Sequence, residues 1–219
     1  MVANGVAMRG PAYFLVLAAI AAALFCGLAV AVESNRLPGF DEAIRMNLHS
    51  LASPLLTLLA EKLTWLGSLG VLALFGVVAV AVLVYAGRRD GAVLLTVTMV
   101  GALVLENGLK FSFQRVRPLP FFGSEPLTYS FPSGHALFSL CFYGGLAIAA
   151  ARSMRSGAIK IGIWLATVFL VLAIGGTRIY LGVHYPSDVL GGYLVAIAWI
   201  AIVLSAEQRM GSWRYRSNA

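Results

Sequence analysis

Apolar residues fall in long, nearly unbroken runs along this chain, and short polar breaks separate them. Six runs near 12–32, 65–86, 91–110, 134–152, 159–179 and 187–205 reach or approach the ~20 residues needed to span a bilayer. The breaks are Arg88-Arg89-Asp90, a proline-containing stretch at 117–132, and Arg152 to Gly157. Only helices or closed barrels satisfy every backbone group in lipid, so the pattern predicts an all-α bundle of six transmembrane helices over 1–219 as one domain. The first run ends in Ala29-Val30-Ala31, which faintly resembles a cleavage site. At 21 residues it exceeds a signal peptide's apolar core of about 7–15, and it is read as a retained helix.

The one long connection, 33–64, has a different rhythm. Phe40, Ile44, Leu48, Leu51 and Leu55 recur at helical spacing, opposite Asp41, Glu42, Arg45 and His49. That pattern predicts a short amphipathic helix lying at the membrane surface between the first and second spans, with a structural role. Ser53-Pro54 has the form of a cap and first-turn proline opening a second short helix. His49 reads as a polar surface residue.

Composition sharpens the picture. Of 219 residues 60% are apolar and 11% charged, against about 45–50% and 25% in soluble domains. The formal charge of +7 sits at the ends of apolar runs, as anchors do, and not in a stripe; this argues against nucleic acid as a partner. With six spans the termini share a side with Arg88, Arg89, Arg152, Arg155 and Lys160. Arg9, Arg209, Arg214 and Arg216 bring that side to nine basic residues. The other side carries Arg36, Arg45, Lys62, Lys110, Arg115, Arg117 and Arg178, which is seven, and three of these have the chemical explanation below. The positive-inside rule then places both termini, including the 206–219 tail with Trp213 and Tyr215, in the cytoplasm of a multi-pass inner-membrane protein. The 33–64 segment is extracytoplasmic, on the periplasmic face. Cys26 and Cys141, both inside apolar runs, are read as small packing residues and not as a disulfide.

Three polar clusters fall on that outer face. Lys110 is followed six residues later by Arg117-Pro118. Pro132-Ser133-Gly134-His135 opens the fourth span. Thr177-Arg178 closes the fifth span, with His184 and Asp188 following. Lys110, Arg117 and Arg178 are three cations that lipid would not tolerate together without an anion, and a phosphate dianion suits them. Ser133 and Gly134 sit at a helix N-terminus, where free amides favour an anion and glycine permits close approach. Asp188, four residues after His184, is spaced to hold one ring nitrogen and aim the other at phosphorus, which makes His184 a candidate nucleophile. His135 is then suited to protonate the leaving oxygen. A neutral His184 with a protonated His135 predicts a bell-shaped dependence of rate on pH. No carboxylate cluster able to hold Mg²⁺ or Zn²⁺ is visible, so neither metal nor other cofactor is expected. Glu106, one helical turn before Lys110, reads as its structural partner. Phe121, Phe122, Tyr129, Phe131, Tyr180 and Tyr185 could rim a lipid entrance or form an ordinary interfacial belt.

These clusters resemble the KxxxxxxRP, PSGH and SRxxxxxHxxxD motifs of the type 2 phosphatidic acid phosphatase superfamily. That group includes lipid phosphate, undecaprenyl diphosphate and lipid A phosphatases. The resemblance covers 110–188 by motif and the whole chain by its six-span layout. It implies phosphate binding by Lys110, Arg117, Ser133, Gly134 and Arg178, with His135 as acid, His184 as nucleophile and Asp188 as its orienter. Thr177 replaces the usual serine and keeps the hydroxyl. The implied activity is metal-free hydrolysis of the terminal phosphate of a membrane lipid phosphate or diphosphate through a phosphohistidine. Alternatives are a lipid phosphotransferase sharing that intermediate, or a non-catalytic transporter or membrane partner of the same fold.

Overall fold

The computed structural model describes residues 10–123 and 127–217. Eight helices follow in order: α1 (Pro11–Glu33), α2 (Pro38–His49), α3 (Pro54–Trp65), α4 (Leu69–Tyr85), α5 (Arg89–Phe113), α6 (Gly134–Ala151), α7 (Gly157–Tyr180) and α8 (Pro186–Ser217). Among the described residues there is no strand. Helices α1, α5, α6, α7 and α8 are each long and apolar enough to cross a membrane, and α3 with α4 forms a sixth, bent span. Arg9 lies outside the described residues, as do the side chains of Trp213, Arg214, Tyr215 and Arg216, while α8 itself runs on through 206–217.

The second span departs from the single 65–86 helix that its hydropathy predicts. The chain turns at 66–68, and α3 meets α4 at 49°. At Gly67 a Cβ would lie 2.4 Å from Ile174 Cγ2 and 3.2 Å from His135 Cδ2, so α7 and α6 leave room there for bare backbone only. The break frees the Leu66 carbonyl, and Tyr143 of α6 donates its hydroxyl to it at 2.9 Å. Ser53 caps α3 as its sequence predicts, its Oγ accepting from Leu56 N with Pro54 in the first turn.

Helix α6 is the centre of the bundle: 61% of its apolar window is buried, against 11% for α7. Leu137, Phe138, Cys141 and Phe142 of α6 pack with Leu72 of α4, Leu95 and Ala102 of α5, and Val195 and Ala196 of α8. Helix α1 lies along α8 and buries Ala18, Ala21 and Ala29, small residues that let two apolar helices approach closely. Outward faces carry Leu24, Leu74, Val82 and Phe169, all well over one-third exposed, which only lipid can cover. Cys141 is buried as a packing residue should be; Cys26 faces outward, and both thiols are free.

Helix α2 is amphipathic, but its faces are disposed unexpectedly. Asp41 and Arg45 are the buried side chains, whereas Phe40, Met46 and Leu51 are exposed. The inward stripe is mixed: Ile44 and Leu48 pack on Ala136, Ile179 and Val189, and Asp41 and Arg45 turn in beside them to meet polar partners. Arg45 donates to Glu42 at 2.6 Å and to the Leu119 carbonyl at 3.0 Å, and Asp41 pairs with Arg115. His49 is not a free surface residue; its ring stacks on Phe121 at 4.0 Å.

The chain thus gathers α2, α3, the ends of α1, α5 and α7, and the starts of α6 and α8 at one end of the bundle. The opposite end is clasped by a bidentate Arg152–Glu207 pair at 2.7 and 2.8 Å.

Candidate active site

Helix α5 ends where Gln114 adopts a left-handed conformation (φ 45°), which turns the chain so that Arg115 and Arg117 return toward the bundle. Helix α7 ends at Tyr180, two residues after Arg178, and Gly182 follows with φ 79°. A Cβ at Gly182 would lie 2.5 Å from Phe121 N, so glycine serves there both the turn and the approach of the 114–130 loop. Phe121 N donates to the Leu181 carbonyl, tying that loop to the α7–α8 connection, and Ser130 N donates to the Arg115 carbonyl within the loop.

The three clusters meet. His184 is almost fully buried. Its Nδ1 lies 3.3 Å from Asp188 Oδ2, and its Nε2 lies 2.9 Å from Arg117 Nη1. Guanidinium nitrogens donate and never accept, so this second contact fixes the tautomer: Nε2 carries the lone pair and Nδ1 the proton, which it donates to Asp188. Burial, opposed by Asp188 and reinforced by Arg117 and Arg178, lowers the imidazole pKa from 6.5 to about 3. The ring is therefore neutral at ordinary pH.

Around it stand the cations. Arg117 reaches the Val183 carbonyl at 2.7 Å, the Thr128 carbonyl at 2.6 Å and Thr128 Oγ1 at 2.9 Å. Lys110 pairs with Glu106 at 2.6 Å, one helical turn back, and also reaches Thr128 Oγ1. Arg178 donates to Thr64 of α3 at 2.8 Å, while its Nε is buried without a partner. His135, on the first turn of α6, lies within electrostatic reach of Arg178, His184, Lys110 and Arg117. Ser133 Oγ is buried with no hydrogen-bond partner and does not cap α6, so the first amides of that helix lack a side-chain acceptor. A buried hydroxyl and a guanidinium N–H left unsatisfied beside three cations are what an anion would complete. Gly134 has a further reason to be glycine: a Cβ there would stand 2.8 Å from Glu106 Oε1.

Several contributors escape the sequence patterns. Asp188 does not stand alone beside His184. Arg115 donates to its Oδ1 at 2.5 Å, Tyr185 N to its Oδ2 at 2.8 Å, and Ser130 Oγ also donates to Oδ2. Arg115 is thus an ion-pair partner and not the interfacial anchor its position suggests. Burial works against the Arg115 charge, but Asp188 and Asp41 outweigh it and hold the group above its ordinary pKa. Of the aromatics, Tyr129 borders the cavity described next. Phe131 is fully buried, stacked on Phe25 and edge-on to Phe113; Phe122 stacks on Tyr180, and Tyr185 covers Arg115.

A cavity of about 610 Å³ opens beside the cations. Its wall is cationic at Lys110, Arg115 and Arg117 and apolar at Phe111, Val116 and Leu127, the last three strongly exposed.

A membrane bundle that gathers two histidines, three cations and unsatisfied buried donors at one end has the make-up expected of a phosphate-handling membrane protein. Residues 91–211 match the sequence profile of the PAP2 superfamily, over half of the chain, and the protein belongs to that family. It is 30% identical over 199 residues to phosphatidylglycerophosphatase B of Bacillus subtilis, covering 88% of this chain and 95% of the relative. An undecaprenyl-diphosphatase of Sulfolobus acidocaldarius is 27% identical over 132 residues, covering 58% of this chain and 59% of its own. Among solved structures, a transmembrane PAP2-type phosphatidylglycerolphosphate phosphatase from Bacillus subtilis superposes with a TM-score of 0.80 at 26% identity. That match covers 88% of this chain and 96% of the other.

Proposed function

We propose that this protein hydrolyses the terminal phosphate of a membrane lipid phosphate or diphosphate through a phosphohistidine formed on His184. The observation that carries the reading is the pair of contacts made by the His184 ring. Its Nε2 lone pair faces the guanidinium of Arg117, where a phosphate would lie, and its Nδ1–H faces Asp188. Nε2 attacks phosphorus while Lys110, Arg117, Arg178 and the first amides of α6 take up charge on the equatorial oxygens. The P–O bond to the leaving group breaks as His135 delivers a proton to that oxygen, and Asp188 holds the imidazolium character that develops on His184. Water, losing its proton to His135, then attacks the phosphohistidine; P–N cleavage returns neutral His184 and inorganic phosphate.

Positive charges do here what a divalent metal does elsewhere. The donor set supports this: the cradle is lined by Lys and Arg, and both oxygens of Asp188 are already occupied by Arg115, Tyr185 N, Ser130 and His184. The half-cationic, half-apolar cavity fits a phosphate head with an attached hydrocarbon better than a free sugar phosphate.

The site end belongs on the periplasmic side of the inner membrane, with both termini cytoplasmic. Ion pairing strengthens that orientation. Arg115 and Arg45 join Lys110, Arg117 and Arg178 as engaged groups, leaving Arg36 and Lys62 as anchors at the site end. On the opposite side Arg152 pairs with Glu207.

The test is phosphate release from detergent-solubilised phosphatidate, phosphatidylglycerophosphate, undecaprenyl diphosphate and lipid A phosphates, each in excess EDTA, with quenching in alkaline detergent to trap the phosphoenzyme. Turnover with an acid-labile, alkali-stable phosphoprotein that vanishes in His184→Ala is expected. An absolute need for Mg²⁺, or turnover surviving that substitution, would refute the mechanism.

A further inference from the structure

The catalytic reading leaves the buried charge of Asp41 unused. Asp41, in the first turn of α2, is fully buried, more than a hundred residues from the motifs on α7 and α8. Its Oδ2 accepts from Arg115 Nη2 at 2.8 Å and from Ser187 Oγ at 2.7 Å; its Oδ1 accepts from Ser187 N at 3.0 Å. Arg115 Nη1 in turn donates to Ser187 Oγ at 2.8 Å and to Asp188 Oδ1 at 2.5 Å. The guanidinium therefore bridges two buried carboxylates, and the ring of Tyr185 covers it at 4.2 Å.

Two couplings follow from this geometry. Ser187 N belongs to the first turn of α8, where amides have no partner within the helix. Asp41 satisfies that amide from a different helix, and so fixes the backbone next to Asp188. The second coupling is electrostatic. Arg115 holds Oδ1 of Asp188, which leaves Oδ2 turned to His184 Nδ1. With Asp41 on its other side, the guanidinium divides its charge between two carboxylates. Remove the Asp41 charge and Arg115 draws on Asp188 alone, weakening the hold of that carboxylate on the imidazole as positive character develops there.

We infer that Asp41 is a positioning residue for the nucleophile, acting on Asp188 through Arg115 and Ser187, so that α2 is part of the reaction machinery. The inference rests on His184 being the nucleophile. It differs from a packing role in what it predicts. Asp41 touches none of Lys110, Arg117 or Arg178, so its loss should slow chemistry and leave substrate binding intact.

The experiment compares wild type with Asp41→Asn, Asp41→Glu and Ser187→Ala in detergent micelles. It measures kcat, KM for a lipid phosphate, the rate of phosphoenzyme formation in a single turnover, and the melting temperature. For Asp41→Asn, kcat and the phosphorylation rate should fall about 10- to 100-fold with KM within about twofold. Asp41→Glu should recover part of the loss. Ser187→Ala, which keeps both ion pairs, should lose about threefold to tenfold in kcat. Asp41→Asn with wild-type kcat and only a lower melting temperature overturns the inference, as does a rise in KM at unchanged kcat. If Asp41→Asn does not fold, Ser187→Ala decides: normal phosphorylation in that variant overturns the inference and slowed phosphorylation sustains it. A wild type that releases no phosphate from any lipid phosphate defeats the phosphatase reading itself, and this inference with it. An active wild type alongside unaffected variants defeats only the role of Asp41.

Discussion

Replacing Arg117 by Lys keeps the charge and removes the fork. Arg117 spends its donors on the carbonyls of Thr128, Tyr129 and Val183, on Thr128 Oγ1 and on His184 Nε2. An ammonium on a shorter stem cannot serve all of these at once. Each buried carbonyl that loses its donor costs about 1–3 kcal/mol, offset where water or the Lys head replaces it. With two carbonyls left unserved and partial rescue, a loss of about 2–3 kcal/mol is the expected scale. Much of it falls on the 114–130 loop that forms the cavity wall. In the transition state the loss is of the Nη1 donor that turns from His184 Nε2 to a phosphate oxygen, a charge-assisted hydrogen bond of about 1.5–3 kcal/mol, which corresponds to a fall in kcat/KM of about 10- to 150-fold. Phosphate release against substrate concentration gives kcat/KM, and a thermal melt in the same detergent separates loop loosening from unfolding. Wild-type kcat/KM in Arg117→Lys would show that only net charge matters, and would refute the argument from the guanidinium's geometry.

The pH dependence has a definite sign. Free His184 stays neutral down to about pH 3, so the acid limb of kcat/KM should lie below pH 5 and the bell expected of two ordinary histidines should be open on that side. A limb with a midpoint near 6.5 that His184→Ala leaves unchanged in phosphate-analogue binding would assign the titration elsewhere. The same shift bears on stability. Below pH 6.5 the unfolded chain protonates this histidine while the folded chain does not, so the stability present above 6.5 should decline as pH falls toward 3, readable by thermal melts across that window. Thr64→Val removes the hydroxyl that holds Arg178 at 2.8 Å without changing side-chain shape; vanadate should then inhibit about 3- to 10-fold less tightly, and unchanged inhibition would separate α3 from the site. Vanadate itself should compete with substrate in the wild type, and insensitivity at millimolar concentration would contradict the cradle.

Sequence spacing revealed the three clusters because each is local: Lys110 to Arg117, Pro132 to His135, and Arg178 to Asp188 lie within one loop or about two helical turns. The apolar runs gave the bundle for the same reason. What sequence did not reveal depends on distant pairing. Arg115 looked like an anchor, since its partners Asp41 and Asp188 lie 74 and 73 residues away in opposite directions. The signal available was crowding: three cations within eight residues, more than anchoring requires. Amphipathic spacing on α2 found the helix but not the inward turn of Asp41 and Arg45, because their partners Arg115 and Leu119 lie far along the chain. The break at 66–68 was invisible because Leu66 and Gly67 continue an apolar run. Ile174, on another helix, explains only why position 67 is glycine.

The packing directly beneath the two rings has a consequence for traffic. Leu137 and Phe138 follow His135 within one turn and join Leu72, Leu95, Phe142 and Val195 in a filled plug across four helices. On the proposed chemistry, inorganic phosphate set free above that plug must leave by the mouth that admitted the lipid, so the molecule would be a one-doored vestibule and each turnover would deposit its ion on the side where the substrate head began.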